Sequence, residues 1–297
     1  ENGVNSDHKL VLEENGGSED ELMLEENGSS SDGDLMLEDR LLALAPKMPK
    51  IGYVGHANDD NPDRITAFYS RFSGPAETSH LPHDADASAA RDFAAGLDII
   101  YVGGGSTKQM LHRWHKTGLD DVFSEAGRRG VILAGVSAGA ICWFSELLLG
   151  TVDDGFELLP GLGLVAGSAC PHYDSEPVRR AAYDNAIAAG RLAPGLAIDD
   201  GVAVYIVAGY IREIIRARQG QAVFVCAEQN GTTVRAALKP GFDLGGGAAV
   251  PCTAKESSYA HDNPADPAPT MTTLMTTTAT LISTTTTTRT TRTTTTT

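Results

Sequence analysis

The sequence has few cysteines and few aromatic residues. Four cysteines and 6% aromatic residues occur among 297 positions, of which 41% are apolar. The cysteines have no C-x-x-C spacing, and the chain is long enough to bury a core without covalent cross-links. We therefore predict reduced thiols and a cytoplasmic setting, and no zinc site. The sequence also opens acidic, without the basic and apolar regions of a secretory leader. The cysteines are Cys142, Cys170, Cys226 and Cys252.

Basic charge is also scarce. Lys and Arg total 23 against 39 Asp and Glu, and residues 1–45 alone carry 13 acidic and 2 basic residues. A nucleic-acid partner is not expected, because binding to phosphates needs a basic surface. The most apolar runs, 131–144 and 202–211, are shorter than the ~20 residues that span a bilayer, so no membrane partner is expected either.

Both ends of the chain have low complexity. Similar short acidic repeats begin at Leu10, Leu22 and Leu35, and residues from about Pro264 onward are mostly threonine. Because such segments bury little apolar surface, we predict a flexible segment over 1–34 and a Pro/Thr-rich disordered tail over 251–297. Leucines in 35–45 predict an amphipathic helix that docks on the body. The domain is therefore expected at 35–250.

Strand and helix patterns alternate through this domain. Apolar strands are predicted at 51–54, 77–81, 98–102 and 131–135, and helices at 62–72, 88–95, 107–114, 122–129, 138–144 and 176–188. This alternation predicts an α/β domain whose mostly parallel sheet is covered on both faces. Short runs between 196 and 238 predict antiparallel strands at its edge.

A nucleophile motif lies between one predicted strand and helix. Gly135-Val-Ser137-Ala-Gly139 has the form G-x-S-x-G, which forces a sharp turn and leaves the serine hydroxyl exposed. The following helix would point N–H groups at an oxyanion formed there. A second glycine-rich turn, 103–105, ends a neighbouring strand and can supply another donor. It lacks the spacing of a P-loop or a dinucleotide fingerprint, which disfavours phosphate binding.

A general base is predicted at His172, which follows Ser137 by 35 positions and comes after an apolar run typical of a strand. A serine nucleophile needs a base, and the base needs an orienting group. Asp153, Asp154 and Glu157 lie between the two, and any of them could accept a hydrogen bond from the imidazole. The histidine pairs 80/83 and 112/115 lack carboxylate partners at helical spacing, so we predict surface or packing roles for them.

Segments 103–111, 135–140 and 171–174 together resemble the peptidase E (aspartyl dipeptidase) and cyanophycinase family of serine peptidases. The resemblance extends over about 35–240. It implies a three-layer sandwich related to class I glutamine amidotransferases, with serine in place of the elbow cysteine. It also implies that neither metal nor cofactor is needed.

The resemblance assigns roles to individual residues. Ser137 would be the nucleophile, His172 the general base and Asp153 the third member of a triad. Gly104 and Ala138 would donate the oxyanion N–H groups.

The resemblance also suggests a substrate, because dipeptidase members cleave after an N-terminal aspartate. Arg179 or Arg180 would then bind the substrate carboxylate, since an arginine fork can hold both oxygens. One departure concerns the start of the chain, where members have a strand and this chain has acidic repeats. Either Lys9–Leu12 serves as that strand or an edge of the sheet is missing.

The leading hypothesis is thus a serine exopeptidase acting on small peptides. Two alternatives remain open at this point, namely a non-catalytic scaffold that keeps the fold and an esterase or amidase that uses the same triad. The sequence does not indicate an oligomeric state.

Overall fold

The computed structural model of the protein describes residues 32–151, 155–228, 231–244 and 272–276. Seven α-helices and one short 3-10 helix, His56–Asn58, lie in these ranges. None of the helices described there is long and apolar enough to cross a membrane. The α-helices are α1 (Asp32–Ala43), α2 (Pro62–Phe72), α3 (Ala87–Ala95), α4 (Thr107–Thr117), α5 (Leu119–Arg128), α6 (Ala138–Ile141) and α7 (Pro177–Ala188).

The described strands form two sheets. The seven-stranded sheet contains β1 (Lys50–Val54), β2 (Glu77–Leu81), β3 (Ile99–Val102), β4 (Ile132–Val136), β9 (Val202–Val207), β10 (Tyr210–Arg216) and β13 (Thr272–Thr276), in the order β10-β9-β13-β4-β3-β1-β2. The six-stranded sheet contains β5 (Phe144–Thr151), β6 (Gly155–Pro160), β7 (Val165–Cys170), β8 (Gly195–Ile198), β11 (Ala222–Ala227) and β12 (Thr233–Ala237), in the order β12-β11-β8-β7-β5-β6.

Parallel pairing holds the centre of each sheet. In the first sheet β13, β4, β3, β1 and β2 run parallel, whereas β9 and β10 are antiparallel at one margin. In the second sheet β5, β7 and β8 run parallel between antiparallel margins. The predicted mixed α/β class with mostly parallel sheets is confirmed. Of the short runs expected to be antiparallel edge strands, β9 to β12 lie at the antiparallel margins, whereas β8 lies inside the second sheet and runs parallel to β7.

The expectation of a single sheet is wrong. The predicted helix over 138–144 ends at Ile141, and strand β5 begins at Phe144. This strand forms a hairpin with β6, in which Leu147 faces Leu159. The last residue of the predicted helix therefore belongs to a strand, because pairing within the second sheet overrides local preference.

Both faces of the seven-stranded sheet are buried. Successive residues of one strand, such as Ile100 and Tyr101 on β3, belong to different apolar clusters, as the two-residue period of a strand requires. Tyr101 packs with Leu37 of α1 and Phe68 of α2, whereas Ile100 belongs to the cluster that contains Trp114 of α4. The helices thus cover the sheet from both sides.

Helix α1 confirms the docking predicted for the leucine-rich segment. Leu37 and Leu41 are fully buried against the sheet. Arg40 adds an ion pair, in which its Nε donates to Glu213 Oε2 of β10 at 2.9 Å. The helix begins at Asp32, inside the segment that we expected to be flexible. Residues 1–31, with the possible strand at Lys9–Leu12, lie outside the described residues.

Strand β13 differs from the predicted disordered tail over 251–297 at residues 272–276, and the rest of that range lies outside the described residues. Thr272–Thr276 lies between β4 and β9, with Leu274 level with Ala134 on one side and Tyr205 on the other. Without it, the facing N–H and C=O groups of β4 and β9 would have no strand partner, and buried backbone groups are rarely left unpaired. A threonine-rich segment suits this place because β-branched residues favour extended backbone.

The cysteines are not uniformly reduced. Cys142 and Cys170 are free and buried, but Cys226 is disulfide-bonded. The prediction of four reduced thiols is therefore wrong at Cys226, and Cys252 lies outside the described residues. Because disulfides persist mainly in oxidising compartments, the cysteines no longer favour a cytoplasmic setting.

The position of β13 can be tested with proline. Leu274→Pro places a residue without an N–H in the middle of an internal strand, which removes a hydrogen bond between strands. We expect the melting temperature to fall by at least ~5 °C, since each kcal/mol corresponds to about 2–4 °C in a domain of this size. Thr287→Pro, outside the described strand, is the control and should melt like the wild type. Equal melting temperatures for both variants, measured by circular dichroism, would contradict the assignment of β13.

Candidate active site

Ser137 lies at the turn between β4 and α6. Its backbone has φ 50° and ψ −111°, a conformation that costs a residue with a side chain roughly 1–3 kcal/mol. Close packing holds this turn in place: a Cβ on Gly139 would lie 2.1 Å from the carbonyl oxygen of Val102, and one on Gly135 would lie 2.3 Å from the carbonyl oxygen of Gly139. Only glycine fits at these two positions, and the serine is held at the carboxyl end of β4.

His172 follows β7 of the other sheet and meets this serine. Its Nε2 lies 2.9 Å from Ser137 Oγ, although 35 positions separate the two residues. The backbone of His172 also has a positive φ, 54°. The next residue fixes the segment to the sheet, because the N–H of Tyr173 donates to the carbonyl of Ile198 at 3.1 Å. The structure thus brings the predicted nucleophile and the predicted base together.

The other ring nitrogen contacts Asp200, which lies on the turn between β8 and β9. His172 Nδ1 is 2.6 Å from Asp200 Oδ1, and this aspartate is buried. An ionised carboxylate can only accept, so Nδ1 carries the hydrogen. In the neutral ring Nε2 is then free to accept the Ser137 proton.

The acids predicted from the sequence are Asp153, Asp154 and Glu157. Asp153 and its neighbour Asp154 lie outside the described residues. Glu157, the third candidate, pairs with Lys108, whose Nζ is 2.6 Å from Oε1. In the described part of the chain, the carboxylate that hydrogen-bonds to the His172 ring is that of Asp200.

The two expected oxyanion donors lie beside the serine. Ala138 follows it as the first residue of α6, and a Cβ on Gly104 would lie 3.3 Å from Ser137 Cβ. The glycine-rich turn is held from the neighbouring strand end, where Asn58 Nδ2 donates to the Gly104 carbonyl at 2.9 Å. The N–H of Ser106 also donates to the carbonyl of Ala57, at 2.7 Å. The turn therefore has a fixed backbone next to the hydroxyl.

The two arginines predicted as carboxylate ligands lie in the first turn of α7. Arg179 Nε donates to Glu176 Oε2 at 2.5 Å, and its guanidinium lies 5.8 Å from the ring centroid of Phe156. Arg180 instead lies over the ring of Tyr173, at 4.8 Å. Arg179 is the more buried of the two, and its guanidinium is held in place by an acidic partner.

The histidine pairs of the sequence have separate partners. His80 Nδ1 lies 2.8 Å from the Tyr69 hydroxyl, and His83 Nε2 lies 3.3 Å from an Asp59 oxygen. His115 contacts Asp120 at 3.1 Å. Among the residues described, no three His, Cys, Asp or Glu side chains form a group that could hold a metal ion.

Comparison with known proteins identifies the family. The model of peptidase family S51 matches residues 23–214. The chain belongs to this family. It is 38% identical over 182 residues to the uncharacterized peptidase YgaJ of Bacillus subtilis (strain 168), a match that covers 60% of this chain and 78% of that protein. Membership of family S51 makes the chain a serine-type peptidase, as its motifs predict, and peptides are its substrates.

Two solved structures are also similar. One is a candidate peptidase E protein from Listeria monocytogenes EGD-e, which has 17% sequence identity and a TM-score of 0.44, covering 71% of this chain and 96% of that one. The other is a peptidase from an acI-B1 actinobacterium, with 17% identity and a TM-score of 0.48, covering 70% of this chain and 93% of that one.

Asp200 is the residue that the sequence analysis missed. It follows His172 by 28 positions, beyond the interval between serine and histidine in which we sought an acid. A usable signal was present: Asp199-Asp200-Gly201 separates two short apolar strands, so a carboxylate ends a buried strand as the serine and the histidine do. The chain then turns at Gly201, which has a φ of 72°.

The electrostatics of His172 depend on this aspartate. Burial of the imidazole alone would lower its pKa, but the hydrogen bond and the charge of Asp200 outweigh burial and raise the pKa above its ordinary value. The charge of Glu176 raises it further, and that of Arg179 opposes the rise. The stability that this raised pKa contributes is fully present below the ordinary pKa of histidine and is lost as the pH rises through the folded-state value.

The influence of Asp200 can be measured without any substrate. In Asp200→Asn the charge is removed, so burial acts on the ring with little opposition and the pKa of His172 should fall below its ordinary value, ~6.5. NMR titration of the histidine ring protons measures this, with His172→Gln to assign the signal. A pKa in Asp200→Asn as high as in the wild type would contradict the contact between the two residues.

Proposed function

We propose that this S51 peptidase is a serine exopeptidase that hydrolyses small peptides through a Ser137-His172-Asp200 triad. The observation that supports it is the continuous pair of hydrogen bonds, 2.9 Å from Ser137 to His172 and 2.6 Å from His172 to Asp200. The sharp turn at Ser137 serves as a nucleophile elbow of the kind found in class I glutamine amidotransferases, with serine in place of cysteine.

The reaction takes two steps. Ser137 Oγ attacks the scissile carbonyl while His172 Nε2 takes its proton, and the C–N bond then breaks as the same nitrogen protonates the departing amine. A water molecule, deprotonated by His172, hydrolyses the acyl-enzyme ester and releases the acid product. The N–H groups of Gly104 and Ala138 donate to the oxyanion in both tetrahedral intermediates.

Asp200 keeps the ring in the tautomer that this sequence of proton transfers needs. Its carboxylate accepts from Nδ1–H, leaves Nε2 as the base, and stabilises the imidazolium that forms when Ser137 loses its proton. Burial strengthens this interaction, since Asp200 is 6% exposed and charges interact more strongly away from water.

The proposed substrate preference is for an N-terminal aspartate. Arg179 is the candidate ligand for the substrate's side-chain carboxylate, because it is already engaged by the carboxylate of Glu176 and its charge acts on His172. An incoming carboxylate would take the place of Glu176 on the guanidinium fork.

The triad is tested by three substitutions. Ser137→Ala should remove nearly all turnover and all labelling by a fluorophosphonate probe, and Asp200→Asn should lower kcat by roughly 10⁴-fold, as loss of the orienting carboxylate does in other triads. Asp153→Asn is the matched control, with less than about a threefold effect. Circular dichroism confirms that each variant is folded.

The outcomes separate the alternatives. Full activity in Ser137→Ala would exclude the serine mechanism. A large loss of activity in Asp153→Asn with a small one in Asp200→Asn would show that Asp153, and not Asp200, is the third member of the triad. Folded wild-type protein that neither binds the probe nor cleaves any dipeptide would favour the scaffold. Cleavage of simple esters but no peptide would favour the esterase.

The preference for aspartate is tested with Arg179→Gln. This variant should lower kcat/KM for Asp-Leu at least tenfold more than for Ala-Leu, because a buried charge-assisted hydrogen bond is worth about 1.5–3 kcal/mol. Arg180→Gln, which alters the neighbouring arginine, should treat the two dipeptides as the wild type does. An equal loss on both substrates in Arg179→Gln would contradict the proposed role.

A further inference from the structure

The carboxylate of Asp200 has a second oxygen, and two donors serve it. Ser175 Oγ donates to Oδ2 at 2.7 Å, and an Arg218 terminal nitrogen lies 3.3 Å from the same atom. Arg218 also reaches the backbone, because its Nε donates to the Asp200 carbonyl oxygen at 2.9 Å. One guanidinium therefore holds both the side chain and the main chain of the aspartate that orients His172.

The fold makes room for this contact. Gly201 follows the aspartate with φ 72°, and a Cβ there would lie 2.5 Å from Arg218 Cγ and 2.8 Å from its Nε. The arginine side chain therefore lies directly over the glycine, and this is possible only because that residue has no side chain. This close packing of Arg218 on Gly201 is part of the structure of the turn.

Arg218 comes from a loop that runs alongside the aspartate turn. The turn at 199–201 carries the chain from β8 of one sheet to β9 of the other, and the loop at 217–221 returns it from β10 to β11. The two are joined by backbone hydrogen bonds, from the Ala217 N–H to the Gly201 carbonyl at 2.8 Å and from the Asp199 N–H to the Gln221 carbonyl at 2.9 Å. Arg218 thus links two neighbouring crossings between the sheets.

We propose that Arg218 is a positioning residue for the peptidase reaction, acting through Asp200. Its guanidinium fixes the direction of the Asp200 carboxylate, so that Oδ1 faces the imidazole. Its positive charge also offsets part of the negative charge with which Asp200 acts on the imidazolium of His172. This inference rests on the proposed triad and adds a residue that does not itself touch the substrate.

Other charged groups surround the same site, and their balance sets the size of the effect. Asp174 accepts from the Asp200 N–H at 2.8 Å, and Asp199 is adjacent in the chain. Glu176 and Arg179 of the α7 region act on His172 with opposite signs. The side chain of Arg218 is 51% exposed, so water weakens its charge, and a moderate effect is expected.

The pH profile of kcat/KM distinguishes positioning from simple support of the loop. Without the Arg218 guanidinium, the negative charge of Asp200 acts on the His172 ring with less compensation, which favours the imidazolium form. The acid limb, which reports deprotonation of the base, should therefore move about half a pH unit upward in Arg218→Ala, with kcat about tenfold lower and KM little changed. Arg218→Lys should restore the position of the acid limb but only part of kcat, because a lysine ammonium cannot contact both the Oδ2 and the carbonyl oxygen of Asp200.

Arg216→Ala is the matched control. This arginine is the last residue of β10, directly before the same loop, and its Nε donates to the Gly220 carbonyl at 3.0 Å. Arg216→Ala should leave the acid limb of the kcat/KM profile unchanged. An unmoved limb in folded Arg218→Ala, or the same shift in both variants, would overturn the inference. Ala-Leu is the substrate, so that binding of a side-chain carboxylate does not contribute.

A double-mutant cycle separates this inference from the triad itself. If Arg218 acts through the aspartate, Arg218→Ala should change kcat by less than twofold in an Asp200→Asn background. An undiminished tenfold loss there would show that the arginine acts by another route. Near wild-type activity of Asp200→Asn alone would instead contradict the triad, whatever the arginine variants do.

Discussion

The contact between His172 and Asp200 is the interaction on which the site depends. In the proposed triad the imidazole takes a proton from Ser137 while its other nitrogen is held by the 2.6 Å contact with a buried carboxylate. The three groups come from different places: the end of β4 in one sheet, the end of β7 in the other, and the turn that joins β8 to β9. The site therefore forms only when the two sheets are correctly packed on each other.

Two residues of the site have strained backbone conformations. Both Ser137 and His172 have positive φ values, 50° and 54°, although neither is glycine. Such conformations persist only where the surrounding structure determines them. Here Gly135 and Gly139 let the strand, helix and neighbouring strand approach closely, and the hydrogen bond from Tyr173 to Ile198 fixes the histidine segment. The rigidity of the sheets is thus used to hold two side chains in place.

The sequence predicted much of this arrangement because local signals carried it. The strands that end near Gly103 and Ser137 are short apolar runs followed by turn residues, and helix α2 begins at Pro62 directly after its N-cap residue, Asn61. The positions of these elements therefore follow from residues a few places apart. The meeting of Ser137 with His172 could be anticipated since both follow strands, and the carboxyl ends of parallel strands are where α/β sites form.

The rest depended on contacts between distant parts of the chain. The second sheet is held by pairing of β5 with β6 and β7, and the sequence predicted no element for the part of β5 that follows Phe144. Asp200 was missed because an acid was sought between the serine and the histidine. Its proximity to His172 arises only when the chain crosses from one sheet to the other. No local pattern specifies such a crossing.

Strand β13 extends the same reasoning to the end of the chain. It runs parallel to β4, and its last residue, Thr276, is level with Val136, directly before Ser137. The strand that precedes Ser137 therefore has β3 on one side and a C-terminal segment on the other. Composition alone suggested a tail without structure, and the unpaired edges of β4 and β9 are what give it an ordered place.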